Sequence, residues 1–137
     1  MRTSAKLDWG RIPAVVLDTS VLLAYLLDEP GTVDLEAIKS KARVPFMALC
    51  EMHYTVTRKN GRAAADHCFG LMKAWDVPIL HSSEELILAA SRLKDRYGLG
   101  IGDAFIAAAS LCEEIPLLTY DSDFQPLAKE IHLLGLR

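Results

Sequence analysis

Val15-Val16-Leu17-Asp18-Thr19-Ser20, running on through Val21-Leu22-Leu23-Ala24-Tyr25-Leu26-Leu27, is the stretch on which the reading of this chain turns. Val15-Val16-Leu17 is a compact β-branched and apolar run, the pattern of a buried strand. Asp18 closes it, Thr19-Ser20 open an apolar segment, and Pro30-Gly31 stop that segment. A strand that ends in an aspartate sets a carboxylate just past its carboxyl end. In open α/β sheets that is where ligands bind.

The same alternation continues outward. Residues 32–41 read as a second, more polar helix, Arg43–Phe46 as a short strand, and Ala48–Arg58 as a helix broken by Asn60-Gly61. Arg62–Trp75 reads as helix and Val77–Leu80 as strand. Ser82-Ser83-Glu84-Glu85 is an N-cap followed by first-turn acids, starting a helix that runs to about Tyr97. Gly98, Gly100 and Gly102 form a flexible lead-in to an alanine-rich helix from Asp103 to about Glu113. Pro116–Thr119 reads as strand, Asp121–Phe124 as a turn, and Ile131–Leu134 as a last strand. Short apolar strands alternating with helices indicate an α/β fold with a mostly parallel central sheet. Residues 1–13 read as an N-terminal extension and 14–137 as one domain.

A chain of 137 residues, 51% hydrophobic, can bury a core without disulfides or structural metals. Cys50, Cys68 and Cys112 are widely spaced and form no CxxC pair, so they read as buried free thiols in a reducing compartment. Met1 to Arg11 has no apolar core and is no signal peptide, and Val21–Leu27 is too short to span a bilayer. The expectation is a cytoplasmic protein with no membrane contact. Fifteen basic residues stand against eighteen acidic ones, a formal charge of −3. Nucleic-acid binders are more often basic, yet carboxylates gathered at one cation site lower the net charge without repelling a phosphate once the cation is bound.

The acids Asp18, Glu51, Asp103, Asp121 and Asp123 form a set. Each alone has an ordinary account: Asp18 and Asp103 as helix caps, Glu51 as a solvated helix residue, Asp121 and Asp123 as turn residues. Helices packed on a sheet would bring them together, and converging carboxylates persist only if they bind cations or share protons. Hard divalent ions suit such a site, and two of them about 3.5–4 Å apart support in-line displacement at a phosphodiester.

The blocks Val16-Leu17-Asp18-Thr19-Ser20, Ala48-Leu49-Cys50-Glu51, Gly102-Asp103-Ala104-Phe105-Ile106-Ala107-Ala108-Ala109 and Leu118-Thr119-Tyr120-Asp121-Ser122-Asp123-Phe124 resemble, in order and spacing, the PIN-domain family. Within that family they are similar to the VapC-type toxins of prokaryotic toxin–antitoxin pairs. The resemblance implies a Rossmann-like three-layer α/β/α sandwich and a Mg²⁺- or Mn²⁺-dependent endoribonuclease, commonly a homodimer. By the motif match Asp18, Glu51 and Asp103 would be the core metal ligands, with Asp121 as the fourth acid and Asp123 sharing or replacing its role. Thr19, Ser20 and Thr119 would support the site by hydrogen bonding to a ligand or a metal-bound water. A toxin of this type would have RNA as substrate and a small antitoxin as partner, whose inserted arginine pairs with the carboxylates.

Competing readings fail on particular residues. A haloacid-dehalogenase-type phosphatase needs a second aspartate two residues after the first, where Ser20 stands. A receiver domain needs an acid after its third strand, where Ile79-Leu80-His81 has none. The glycines at 98, 100 and 102 match neither a Walker lysine pattern nor GxGxxG after a first strand. His53, His67, His81 and His132 are scattered without metal-ligand spacing, and the clusters Arg58-Lys59-Arg62 and Arg92-Lys94-Arg96 read as solvated helix faces. The remaining alternative is a catalytically idle fold of the same family that binds RNA or a partner protein.

Overall fold

A computed structural model describes residues 7–135. Five short strands, β1 (Val15–Leu17), β2 (Ala42–Pro45), β3 (Ile79–Leu80), β4 (Leu117–Leu118) and β5 (Leu133–Leu134), form one sheet. Helices α1 (Thr19–Leu26), α2 (Phe46–Asn60), α3 (Arg62–Ala74), α4 (Glu84–Tyr97) and α5 (Ile101–Glu113) connect the first four of them. Strand order is β3-β2-β1-β4-β5, and every pairing is parallel.

Val15, Val16 and Leu17 are all 0% exposed. Successive strand residues point to opposite faces, so helices must cover the sheet on both sides. The result is an α/β/α sandwich with β1 at its centre. The chain builds outward from β1 to β2 and β3, then returns to the other flank of β1 for β4. This reversal opens a crevice at the carboxyl ends of β1 and β4, the switch point at which such sheets hold ligands. Asp18 N–H to the Leu118 carbonyl, at 3.0 Å, is the hydrogen bond that joins the two strands at that edge.

Local chemistry sets the helix ends. Ser83 Oγ accepts the Leu86 N–H at 3.1 Å to start α4, and Gly98, at φ +67°, closes it in the left-handed conformation that suits glycine. Leu49, Met52 and Val56 turn inward along α2 at helical spacing, which sends Cys50 outward. The sequence reading of three buried thiols is therefore corrected: Cys50 is exposed, Cys68 and Cys112 are half-buried, and all three are free.

Three boundaries also differ from expectation. The polar helix read over residues 32–41 is a series of turns with a 3-10 turn at Lys39–Lys41. Leu35 and Ile38 do point into the core, but a spacing of three serves a 3-10 turn as well as an α-helix. Asp34 Oδ1 takes the Glu36 N–H, and the Val33 N–H goes to the Tyr120 hydroxyl at 2.9 Å, so the backbone donors are spent outside a helix. Phe46, read as the end of a strand, opens α2. Helix α5 begins at Ile101 with Gly100 as its N-cap, so Gly102 lies inside the helix rather than in a lead-in, and Asp103 occupies its first turn.

Of the extension read over residues 1–13, residues 1–6 lie outside the described residues. Leu7, Trp9 and Ile12 pack against the core, and the Lys41 ammonium donates to the Trp9 carbonyl. No helix among the described residues is long and apolar enough to cross a membrane.

Phe124 is fully buried beneath the 3-10 turn Ser122–Leu127, which it fastens to the core. Phe124→Ala should cost about 3–5 kcal/mol of unfolding free energy, read as a lowered denaturant midpoint. An unchanged midpoint would mean that the turn is not anchored there.

Candidate active site

Asp18 stands at the carboxyl end of β1 and is only 3% exposed. Burial of an ionisable carboxyl demands donors, and the sequence supplies them from the first turn of α1 and from the residue that follows β4. Ser20 Oγ donates to Asp18 Oδ2 at 2.7 Å, and Thr119 Oγ1 donates to the same oxygen at 2.8 Å. The Ser20 N–H also points there, at 3.4 Å, as the N-cap bond of α1. Each hydroxyl, its proton committed to Asp18, accepts a backbone N–H in turn: Tyr120 on Ser20 Oγ and Asp121 on Thr119 Oγ1, both at 3.0 Å. The two hydroxyls thus lock the chain after β4 onto the end of β1.

Glu51 comes from the second turn of α2. Thr19 Oγ1 donates to Glu51 Oε1 at 2.8 Å. The other side of this carboxylate lies against the backbone of α5 at Gly102. Asp103 follows, half-buried, where the positive end of the α5 dipole favours an acid. Asp121 accepts the Asp123 N–H at 2.9 Å and caps the 3-10 turn. One carboxylate oxygen from each of Asp103, Asp121 and Asp123 lies within 4.8 Å of the others.

The five acids feel one another. Burial, followed by the charges of Asp18, Glu51, Asp121 and Asp123, pushes the Asp103 carboxyl up to about 6. Burial raises Glu51 despite the Thr19 hydroxyl, with Asp18 and Asp121 adding to the effect. Burial also raises Asp18, outweighing its hydroxyl and backbone hydrogen bonds. Among the described residues, the ion pairs of this molecule involve Asp8, Asp66 and Glu130, and none involves a site acid. Among the described residues the acidic cluster has no protein cation paired with it.

The sequence-derived residues therefore do meet at one edge. Ordinary roles coexist with this: Asp18 and Asp121 do cap helical turns, while Asp103 does not cap its helix. Gly102 was missed as part of the site, because nothing in the sequence ties it to Glu51. Members of the basic clusters have partners elsewhere. Arg92 and Arg96 pair with Glu130, Lys94 donates to the Leu99 carbonyl, and Arg62 lies near Asp66. His53 pairs with Asp66 at 2.8 Å and meets the Phe69 ring edge-on.

The PIN domain model matches residues 15–130, and the chain belongs to the PIN domain family. A search of curated proteins gives no match. Solved structures do. VapBC of Salmonella typhimurium bound to DNA superposes with a TM-score of 0.74 at 14% identity, covering 89% of this chain and 97% of that one. VapBC2 of Rickettsia felis, bound to a DNA fragment from its promoter, gives 0.70 at 18% identity over 88% and 96%. VapC20 of Mycobacterium tuberculosis, a sarcin–ricin loop cleaving toxin, gives 0.63 at 20% identity over 82% and 94%. These similarities establish the fold.

Two outcomes follow from the geometry. Thr119→Val keeps the shape but leaves Asp18 one donor short and the Asp121 N–H without its acceptor. It should lower stability by about 1–3 kcal/mol in chemical denaturation; no loss would show that these hydrogen bonds are dispensable. The second concerns pH. A carboxyl raised in the folded state gives stability that is complete below its unfolded value of 3.8 and lost as pH rises through about 6. With chelator present, Asp103→Asn should therefore melt higher than the parent at pH 7.5, with the gap narrowing toward pH 4. A gap independent of pH would refute the repulsion.

Proposed function

We propose that this PIN domain is a Mg²⁺- or Mn²⁺-dependent endoribonuclease, and that it is the toxin of a toxin–antitoxin pair. The carrying observation is the meeting of Asp103, Asp121 and Asp123 within 4.8 Å, beside Asp18 and Glu51, with no basic side chain among the described residues paired with them.

The donor set fits a hard divalent cation. Every group is an oxygen, the donor type such an ion takes, and one oxygen from each of the three aspartates already lies within 4.8 Å of the others. Asp18, Glu51 and Asp103 would hold it together with Asp121 and Asp123, all of which face the same space. When bound, the cation supplies Lewis acidity toward a phosphodiester and acidifies water as the nucleophile. The protein's own part is positional. Ser20 and Thr119 fix the Asp18 carboxylate, Thr19 orients Glu51, and the Thr119 hydroxyl holds the backbone that carries Asp121. Thr119 thereby sets two acids at once.

Setting the five site acids aside, basic residues outnumber acidic ones in the chain, which removes the objection that its overall charge raises to a polyanionic substrate. RNA as that substrate draws support from family membership and from the similarity to the sarcin–ricin loop cleaving toxin. An antitoxin partner draws support from the VapBC assemblies with which the fold superposes. Its contact with the site would be an arginine fork, which pairs with carboxylates in the cation's place. A homodimer belongs to the same reading, and exposed Ile87, Leu88 and Ile101 offer apolar surface for one.

Purified protein, incubated with labelled single-stranded and structured RNAs in Mg²⁺, in Mn²⁺ and in chelator, should cut only with metal, and Asp103→Asn should abolish cutting. RNA binding that is equal with and without metal, with no cleavage and no calorimetric metal uptake, would instead mark an idle binding module.

A further inference from the structure

We infer that Gly102 is a positioning residue: its missing side chain is the slot in which the Glu51 carboxylate sits. A Cβ built on Gly102 would lie 2.0 Å from Glu51 Oε2, 2.7 Å from Cδ and 3.3 Å from Oε1. No carbon and carboxylate coexist at the first two distances, so any side chain at 102 and this placement of Glu51 exclude each other. The inference rests on reading the five-acid cluster as a divalent-cation site.

Backbone freedom does not account for this glycine. Gly31, Gly61, Gly98 and Gly135 have positive φ, whereas Gly102 is an ordinary helical residue, buried in the first turn of α5. Glycine within a helix is less favourable than alanine by roughly 0.5–1 kcal/mol, so position 102 gives up helix stability. Neighbouring Gly100 makes the contrast, since a Cβ there would meet nothing within 4 Å. Nor can α5 withdraw to make room. Phe46 of α2 and Phe105 of α5 meet edge-on with ring centroids 5.5 Å apart, and Ala48, Ala104 and Ile106 are wholly buried. Packing at this density leaves the flexible Glu51 side chain as the part that must yield. Glu51 is then held from two sides, by the Thr19 hydroxyl on Oε1 and by the α5 backbone against Oε2.

The test is calorimetric titration of the metal-free protein with Mn²⁺ for the parent, Gly102→Ala, Glu51→Asp and the double variant, alongside thermal melts. Gly102→Ala should fold with a melting temperature no lower than the parent's, yet bind Mn²⁺ about 10–100-fold more weakly, the range found when a group that orients a ligand is lost. Glu51→Asp, which draws the carboxylate back by one methylene, should weaken binding in the parent but strengthen it in the Gly102→Ala background. A purely structural glycine would not give that reversal of sign. Should Gly102→Ala melt lower than the parent, adding Glu51→Ala should restore the melting temperature, because the clash is with that side chain alone. Parent-like Mn²⁺ affinity in Gly102→Ala, a double variant no better than the single, or a melting loss that Glu51→Ala leaves in place would each overturn the inference while the parent still binds Mn²⁺. A parent that takes up no Mn²⁺ would overturn the metal-site reading itself, and the positioning role of Gly102 with it.

Discussion

Repulsion among like charges is the constraint around which this molecule is organised. Five carboxylates share one edge of a parallel sheet, and no lysine, arginine or histidine pairs with any of them among the described residues. Left to themselves, such groups would turn outward to water. The surrounding structure restrains them with fixed donors. Asp18 is held by hydroxyls from α1 and from the residue after β4, Glu51 by a hydroxyl and a bare stretch of helix, and Asp103 stands at the positive end of α5. Asp121 is tied through its N–H to the same threonine that holds Asp18. The strain is confined to one rim while the core beneath is apolar and closed.

What the sequence made legible followed from local rules. Val15-Val16-Leu17 reads as a buried strand because a strand covered on both faces shows no alternation, and it is one. The Ser83 cap and Gly98 stop of α4 are readable because each concerns a few adjacent residues. Residues 32–41 misled because Leu35 and Ile38 carry a helical spacing, while the decision belonged to Tyr120, far along the chain. Tertiary contact overrode periodicity there. The cysteines misled because a residue type that favours interiors was placed by helix phase instead.

The site divides along the same line. Its acids were visible as a pattern of blocks, but the sequence offered two accounts of each, cap or ligand, as though they were rivals. They are not. Asp18 caps α1 and faces the cluster with the same carboxylate, and Asp121 does likewise for its own turn. The contact between Glu51 and Gly102 stayed hidden because it exists only once α2 has packed on α5. Glycine there looked like punctuation, and its use became apparent only from what fills the space beside it.

The placement of β4 beside β1 also bears on the order in which the site comes into being. Thr119 bonds to Asp18 across a separation of 101 residues, and Asp121 and Asp123 follow it immediately. During synthesis the amino-terminal strand, its helix and the Glu51 helix emerge well before these groups. A growing chain therefore carries only part of the acidic cluster, and Asp18 lacks its second hydroxyl, until Thr119 and the residues after it have been made. The cluster closes only when β4 reaches the sheet beside β1, so the convergence of the five acids is a long-range event in folding that no early segment can complete alone.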